Sequence, residues 1–117
     1  MAAAIDSNAV KPDTNCPVCA GPINLGGYQI RTWNHKYEEN ISMTDVIQHS
    51  DNTGMVYVAQ SLGLEKMLAY FDAFGVGDIT GIDLQGEVNS PLRDTWYPID
   101  LATAGFGQGI SVTPIEL

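Results

Sequence analysis

The stretch Ser42-Met43-Thr44-Asp45-Val46-Ile47-Gln48-His49-Ser50-Asp51-Asn52-Thr53-Gly54-Met55 contains two helix signals separated by a turn. Ser42 with Asp45 three positions later resembles a capping box, so we predict a short helix from Ser42 to about His49. Residues 50–54 all favour turns and caps. A second helix is predicted next, closed by Gly63. Its apolar positions have the i, i+3, i+4, i+7 spacing of one helix face: Met55, Val58, Ala59 and Leu62.

Two further helices are predicted after this stretch. One follows Gly63 directly and ends at Gly75, with apolar positions at Leu64, Met67, Leu68 and Phe71. Another runs from Asp100 to about Ala104 and is ended by the glycines of residues 105–109.

The two ends of the chain also carry helix signals. Residues 1–5 look like the end of a helix, and residues 111–117 place Ser or Thr before Pro, as at a helix start. We therefore expect the chain to be a segment of something longer.

Strand signals are weaker than the helix signals. Residues 22–25 and 28–33 alternate apolar and polar side chains around Gly26-Gly27, a pattern that fits a short hairpin or a long loop. Residues 77–87 alternate weakly and are predicted to hold one short strand.

Length and charge exclude several classes of protein. The 117 residues suffice for one domain, and the 44% apolar content indicates a globular segment with a core. Five basic and fourteen acidic side chains give a net charge of −9, which argues against nucleic acid as a partner because phosphates must be neutralised by Lys or Arg.

The cysteines form one C-x-x-C, Cys16 and Cys19. A structural zinc site needs four ligands, and the histidines, His35 and His49, do not have the spacing of a zinc finger. A redox motif would need a strand and helix around the pair. The favoured interpretation is a loop whose thiols are either free or locally oxidised.

Two short motifs invite a chemical reading. Gly105-Phe106-Gly107-Gln108-Gly109 lacks the spacing and the preceding strand of a dinucleotide fingerprint. Ser50-Asp51-Asn52 lies between two predicted helices, where a Ser is by default a cap. No G-x-S-x-G elbow is present to supply a nucleophile.

The sequence around Ser50-Asp51-Asn52 favours a catalytic role for this motif. Residues 41–55 strongly resemble the second motif region of penicillin-binding protein transpeptidases, and four later segments match in order: Leu62-Gly63, Phe74-Gly75-Val76-Gly77, Thr80-Gly81-Ile82-Asp83-Leu84-Gln85-Gly86-Glu87, and Phe106-Gly107-Gln108-Gly109-Ile110-Ser111-Val112-Thr113-Pro114. Their spacing is similar to the class B enzymes of cell division and elongation. The resemblance implies an α/β fold of the β-lactamase/transpeptidase type, of which residues 1–117 would be the middle segment, mostly the helical part with short strands.

The resemblance implies a function and roles for two residues. The family's serine in S-x-x-K attacks D-Ala-D-Ala stem peptides of peptidoglycan, and β-lactams acylate the same serine. Ser50 would relay a proton to the leaving amine, and Asn52 would bind the substrate amide and orient the general-base lysine. Asp51 holds the variable middle position and is given no catalytic role. No metal or organic cofactor is implied. The resemblance also implies a glycosyltransferase partner. It implies a parent protein in the cell membrane, with this domain on the periplasmic or outer face.

The chain departs from the family pattern in several places. None of its serines has Lys three positions on, and no K-T-G occurs. We expect S-x-x-K just before Met1 and K-T-G beyond Leu117. Glu39 and Gly105 replace the usual Gly and Ser, and Gly105 is expected to loosen its turn. The alternative function is a non-catalytic scaffold or β-lactam-binding module whose nucleophile has been lost.

Overall fold

The computed structural model describes residues 1–83, 85–88, 90–115 and 117. It confirms the helices predicted at the start of the chain and across residues 42–75. The elements are α1 (Ala2–Asp6), β1 (Ile23–Leu25), β2 (Tyr28–Ile30), α2 (Met43–Gln48), α3 (Asn52–Leu62), α4 (Leu64–Ala73) and α5 (Pro98–Gly105).

Helix α3 is the centre of the molecule and packs against α1, α2, α4 and α5. Its predicted apolar face is confirmed, because Val58, Ala59 and Leu62 are buried in the main core. The α2 side chains Met43 and Val46 pack into the same core. Apolar burial of this kind provides the main driving force for folding. Because α2 and α3 share this core, the end of α2 and the start of α3 are held in place around residue 50.

The segment around Gly26-Gly27 is a hairpin, which decides between the two readings that its sequence allowed. Strands β1 and β2 are antiparallel, and Ile23 pairs with Ile30. Gly26 and Gly27 have φ angles of 56° and 81°, the left-handed pair that a two-residue turn of this type requires. Ile30 is buried against Val56 of α3 and Ala102 of α5, so the hairpin is anchored next to the start of α3.

The cysteine loop is tied to the beginning of α2. Cys16 and Cys19 form a disulfide and both are buried, so the thiols are oxidised locally and not free. The Cys16 N–H donates to the Ile41 carbonyl (2.8 Å), and the Met43 N–H donates to the Thr14 carbonyl (3.0 Å). No group of three potential metal ligands occurs among the described residues.

The capping box predicted at α2 is present. The Ser42 hydroxyl oxygen accepts the Asp45 N–H at 3.1 Å, and the Asp45 carboxylate accepts the Ser42 N–H at 3.0 Å. The hydrogen bond from the Ser42 hydroxyl lowers the pKa of the Asp45 carboxyl, with a smaller lowering from the Ser42 backbone.

Three predictions at the C-terminal side need correction. The last helix begins at Pro98, earlier than Asp100, because Pro fits the first turn and the Asp100 carboxylate accepts the Tyr97 N–H at 2.8 Å. Residues 77–83 and 85–87 form turns and irregular backbone instead of a strand, and Leu84 lies outside the described residues. At the end of the chain, Pro114 and Ile115 form a turn, and the rest of the predicted helix start includes Glu116, which also lies outside them.

Gly105 does not loosen a turn, because it is the last residue of α5 and touches α3. A Cβ at this position would lie 2.7 Å from the Ala59 Cβ and 2.8 Å from the Met55 carbonyl oxygen. Its lack of a side chain therefore allows two helices to approach closely. The helix ends one residue further on, and Gly107 then adopts a φ of 84°.

Gly54 allows a similar close approach of α2 and α3. A Cβ there would lie 3.0 Å from the Val46 Cβ and closer still to both Val46 methyl carbons. We expect Gly54→Ala to lower the free energy of unfolding by about 1–2 kcal/mol, because overpacking costs about 1–3 kcal/mol and better helix propensity returns up to about 1. Urea unfolding of Gly54→Ala with and without Val46→Ala measures this. The loss should shrink in the Val46→Ala background, and an equal loss in both would contradict steric contact as its cause.

Candidate functional site: the turn between two helices

Ser50 lies at the left-handed position that ends α2. Its φ is 54°. The Ser50 N–H donates to the Ile47 carbonyl (3.2 Å), and the next N–H, of Asp51, donates to the Val46 carbonyl (2.9 Å). This pair of bonds is the Schellman motif, in which the left-handed residue is usually Gly and sometimes Asn.

Among the described residues, four helices end in this same motif, and Ser50 is the unusual residue at its left-handed position. Helices α1, α4 and α5 place Asn8, Gly75 and Gly107 at the left-handed position, with the same two backbone bonds. A left-handed conformation costs an L-residue about 1–2 kcal/mol, and Gly avoids that cost. A backbone outlier that persists at one site is grounds for a functional hypothesis about that site. Ser50 is the residue of the four whose identity the fold does not explain.

Asp51 is the residue that caps α3. Its Oδ1 accepts hydrogen bonds from the Thr53 N–H (2.9 Å), the Gly54 N–H (3.1 Å) and the Thr53 hydroxyl (2.6 Å). The interpretation of Ser50 as the default cap is therefore wrong. The Schellman bonds place Ser50 at the end of α2, one residue before the N-cap of α3. Asp51 has a structural role that the sequence reading did not assign to it.

Asn52 begins α3 and is held by the residue that follows the hairpin. Its side-chain Nδ2 donates to the Arg31 carbonyl at 3.0 Å, across 21 residues of sequence. The half-buried side chain lines a groove between the end of β2 and α5, together with Ile99, Thr103 and Gln108. Because no described residue donates to the amide oxygen, that oxygen is the atom left to accept a hydrogen bond from a ligand.

Ser50 and Asn52 are brought to one turn but not into one groove. The exposed Ser50 lines an open depression with Trp33, Asn34 and His49, whereas Asn52 lines the groove beside α5. The indole N–H of Trp33 donates to the His49 carbonyl at 3.1 Å. The turn thus carries the Ser50 hydroxyl and the Asn52 amide, and its backbone is hydrogen-bonded both before and after Ser50.

The sequence reading missed the contributions of Arg31 and Trp33 to this turn. Both contact it through bonds that span long stretches of chain. No local pattern marks such bonds, since neither a carbonyl nor an exposed indole has a helix or strand period.

A family model now decides what the chain is. The model of the penicillin-binding protein transpeptidase domain matches residues 1–117. The chain belongs to this family. The transpeptidase resemblance read from residues 41–55 and the later segments is thereby confirmed.

Curated relatives are transpeptidases and penicillin-binding proteins. Stage V sporulation protein D of Bacillus subtilis is 37% identical over 119 residues, which cover 99% of this chain and 18% of that protein. Peptidoglycan D,D-transpeptidase FtsI of Escherichia coli is 32% identical over 98 residues, 82% of this chain and 16% of that protein. The chain therefore spans less than a fifth of the length of either relative.

Solved transpeptidase structures confirm the fold class. The crystal structure of a peptidoglycan glycosyltransferase from Burkholderia ambifaria superposes with a TM-score of 0.88 at 27% identity, over 97% of this chain and 36% of that one. Penicillin-binding protein 3 of Mycobacterium tuberculosis, solved with aztreonam, gives a TM-score of 0.86 at 28% identity, over 97% of this chain and 26% of that one. The helices and hairpin are thus part of the α/β transpeptidase fold.

Across residues 1–83, 85–88, 90–115 and 117, no helix is both long and apolar enough to pass through a bilayer.

Proposed function

We propose that the chain is the middle segment of a class B serine D,D-transpeptidase domain, incomplete at both ends, whose parent cross-links peptidoglycan. The observation that carries the proposal is the family match over residues 1–117. Relatives named as D,D-transpeptidases, and a similar structure that holds aztreonam, support the same reaction and β-lactam binding for the parent. The nucleophile and the general-base lysine would come from an S-x-x-K outside this chain, and a K-T-G would complete the cleft.

The reaction proceeds through an acyl-enzyme. The serine oxygen adds to the carbonyl carbon of the penultimate D-Ala, the carbon–nitrogen bond breaks, and the terminal D-Ala leaves as an amine that takes up a proton. The amine of a neighbouring stem peptide then attacks the ester, forms the cross-link and releases the serine. A β-lactam reacts in the first step, and its acyl-enzyme persists.

In this reaction Ser50 passes the proton to the leaving amine, and Asn52 binds the substrate amide and orients the lysine. The fixed turn supports these roles, because a relay needs its hydroxyl within hydrogen-bond reach in one orientation. For Asn52, the amide nitrogen is bonded to the Arg31 carbonyl, which leaves the oxygen to accept an N–H of the substrate or of the lysine side chain. Asp51 takes no part in the chemistry.

The parent's substrates determine its place in the cell. D-Ala-D-Ala stem peptides lie outside the cytoplasmic membrane, so the parent is anchored in that membrane with this domain on the outer face. A glycosyltransferase that makes the glycan strands is its working partner. The reaction uses no metal and no organic cofactor.

The proposal is tested by the coding DNA on both sides of the segment and by acylation with fluorescent penicillin. We expect S-x-x-K just upstream of Met1, K-T-G downstream of Leu117, and one covalent adduct on the parent protein by intact mass. Ser→Ala at the S-x-x-K serine should abolish the adduct, and the 117-residue chain alone should form none. A parent without the serine would favour the scaffold function, and a parent with both motifs that is not acylated would overturn the proposal.

A further inference from the structure

The segment that follows the hairpin crosses the turn that carries Ser50 and Asn52. We infer that residues 31–33, here called the strap, hold this turn in its working shape, and that Trp33 is a positioning residue for Ser50. The acylation test of this inference rests on the proposed function. The contacts that suggest the inference are independent of that function.

The strap is held by the hairpin residue before it and by the burial of its own middle residue. Ile30 is paired in the hairpin and buried against α3 and α5. Thr32 is buried, and its hydroxyl donates to Asn34 Oδ1 at 3.0 Å. A strap that is anchored in this way can impose its position on the groups it contacts.

The strap contacts the turn before and after Ser50. The Trp33 indole N–H donates to the His49 carbonyl at 3.1 Å. The Arg31 carbonyl accepts the Asn52 Nδ2 at 3.0 Å. The two functional positions of the S-x-N motif are therefore bracketed by one short segment that belongs to neither helix.

The bond from Trp33 completes the fixation of the Ser50 backbone. A peptide unit is planar, so the His49 carbonyl and the Ser50 N–H belong to one plane. That plane is held by Trp33 at its oxygen and by the Ile47 carbonyl at its N–H. The plane after Ser50 is held by the bond from the Asp51 N–H to the Val46 carbonyl. With both planes fixed, φ and ψ of Ser50 are set, and so is the direction in which its side chain leaves the backbone.

Within this segment Trp33 contributes little to packing. The residue is 71% exposed, whereas a Trp that stabilises a core buries most of its ring. Its hydrogen bond satisfies a carbonyl at the C-terminal end of α2, a group that has no partner within the helix. We therefore expect its removal to disturb the geometry of the turn more than the stability of the fold.

The chain provides a matched control in its other tryptophan. The indole N–H of Trp96 also donates to a backbone carbonyl, that of Arg93, at 2.9 Å. Trp96 is half-buried, packs against the main core and lies against the Arg93 guanidinium, so its indole N–H is bonded to Arg93 and not to the turn. Trp33→Phe and Trp96→Phe thus remove the same chemical group, and only the first removes it from the turn.

Two measurements test the strap. In the parent protein, fluorescent-penicillin acylation is followed over a range of concentrations, so that the acylation rate constant is separated from the affinity of the first complex. We expect Trp33→Phe to lower the rate constant by about 10- to 100-fold, since small misplacements of a reacting group have costs of this order, with the affinity unchanged. Trp96→Phe should leave the rate constant unchanged and lower the melting temperature more than Trp33→Phe does.

The second measurement does not depend on activity. In the parent protein with isotope-labelled serine, the Cα and Cβ chemical shifts of Ser50 report its left-handed backbone. We expect Trp33→Phe to move these shifts toward averaged values and Trp96→Phe to leave them in place. Unchanged Ser50 shifts in Trp33→Phe, or equal losses of acylation in the two variants, would overturn the inference. If the unmodified parent is not acylated at all, the proposed function fails, and the shifts alone decide for or against the strap.

Discussion

Asp51→Ala is expected to lower the free energy of unfolding of the 117-residue chain by about 2–4 kcal/mol. Loss of an N-cap side chain costs about 0.5–2 kcal/mol. Here the same oxygen also accepts the Thr53 hydroxyl, and Thr53 is 0% exposed. The hydroxyl would be left buried without its acceptor, which adds about 1–3 kcal/mol. Urea unfolding followed by circular dichroism measures the change.

The matched control for this prediction is Asp51→Asn. Its amide oxygen can accept the same three hydrogen bonds, and Asn is as good an N-cap as Asp. We therefore expect Asp51→Asn to lose less than about 1 kcal/mol. Equal losses for Ala and Asn would show that the carboxylate charge, and not the capping oxygen, supplies the stability.

The helices of this chain were predictable because their signals are local. The i, i+3, i+4, i+7 spacing of α3 and the capping box of Ser42 and Asp45 both lie within one or two helical turns. The hairpin was half predictable. Gly26-Gly27 permits the turn, but the burial of Ile30 against Val56 and Ala102 selects it over a loop.

The position of the helix cap could not be read from composition alone. Ser50 and Asp51 are both good caps, and they are adjacent. The register is decided by where α2 stops, which depends on the two backbone bonds to Ile47 and Val46. A search for left-handed helix ends occupied by neither Gly nor Asn would have found Ser50 as the unusual residue.

The remaining features of the site depend on tertiary contacts. Val46 on another helix leaves no room for a side chain at Gly54, and Ala59 leaves none at Gly105. The bonds from the strap to His49 and Asn52 span 16 and 21 residues. No periodicity or short motif encodes contacts of this range, so the sequence could suggest which residues act, through family resemblance, but not what holds them in place.

Ser50→Gly is expected to raise stability and to reduce acylation together. Glycine removes the left-handed cost of about 1–2 kcal/mol, and the greater freedom of glycine in the unfolded chain offsets about 0.4–1 of it, so we expect a gain of about 0.5–1 kcal/mol. With the hydroxyl removed, the penicillin acylation rate of the parent should fall about 100- to 10,000-fold, the usual contribution of a proton-transfer group. Urea unfolding of the chain and acylation of the parent measure the two effects.

Two further variants separate the causes of these effects. Ser50→Ala removes the hydroxyl and keeps the left-handed cost, so acylation should fall as much as in Ser50→Gly with no gain in stability. Asn8→Gly makes the corresponding change at the end of α1, where the backbone motif is the same, and should leave acylation unchanged. Normal acylation in Ser50→Gly would show that the serine is not the relay, and its unfavourable backbone would then have no functional explanation. If acylation falls while stability rises, the chain retains at residue 50 a side chain that opposes its own folding because the reaction needs the hydroxyl there.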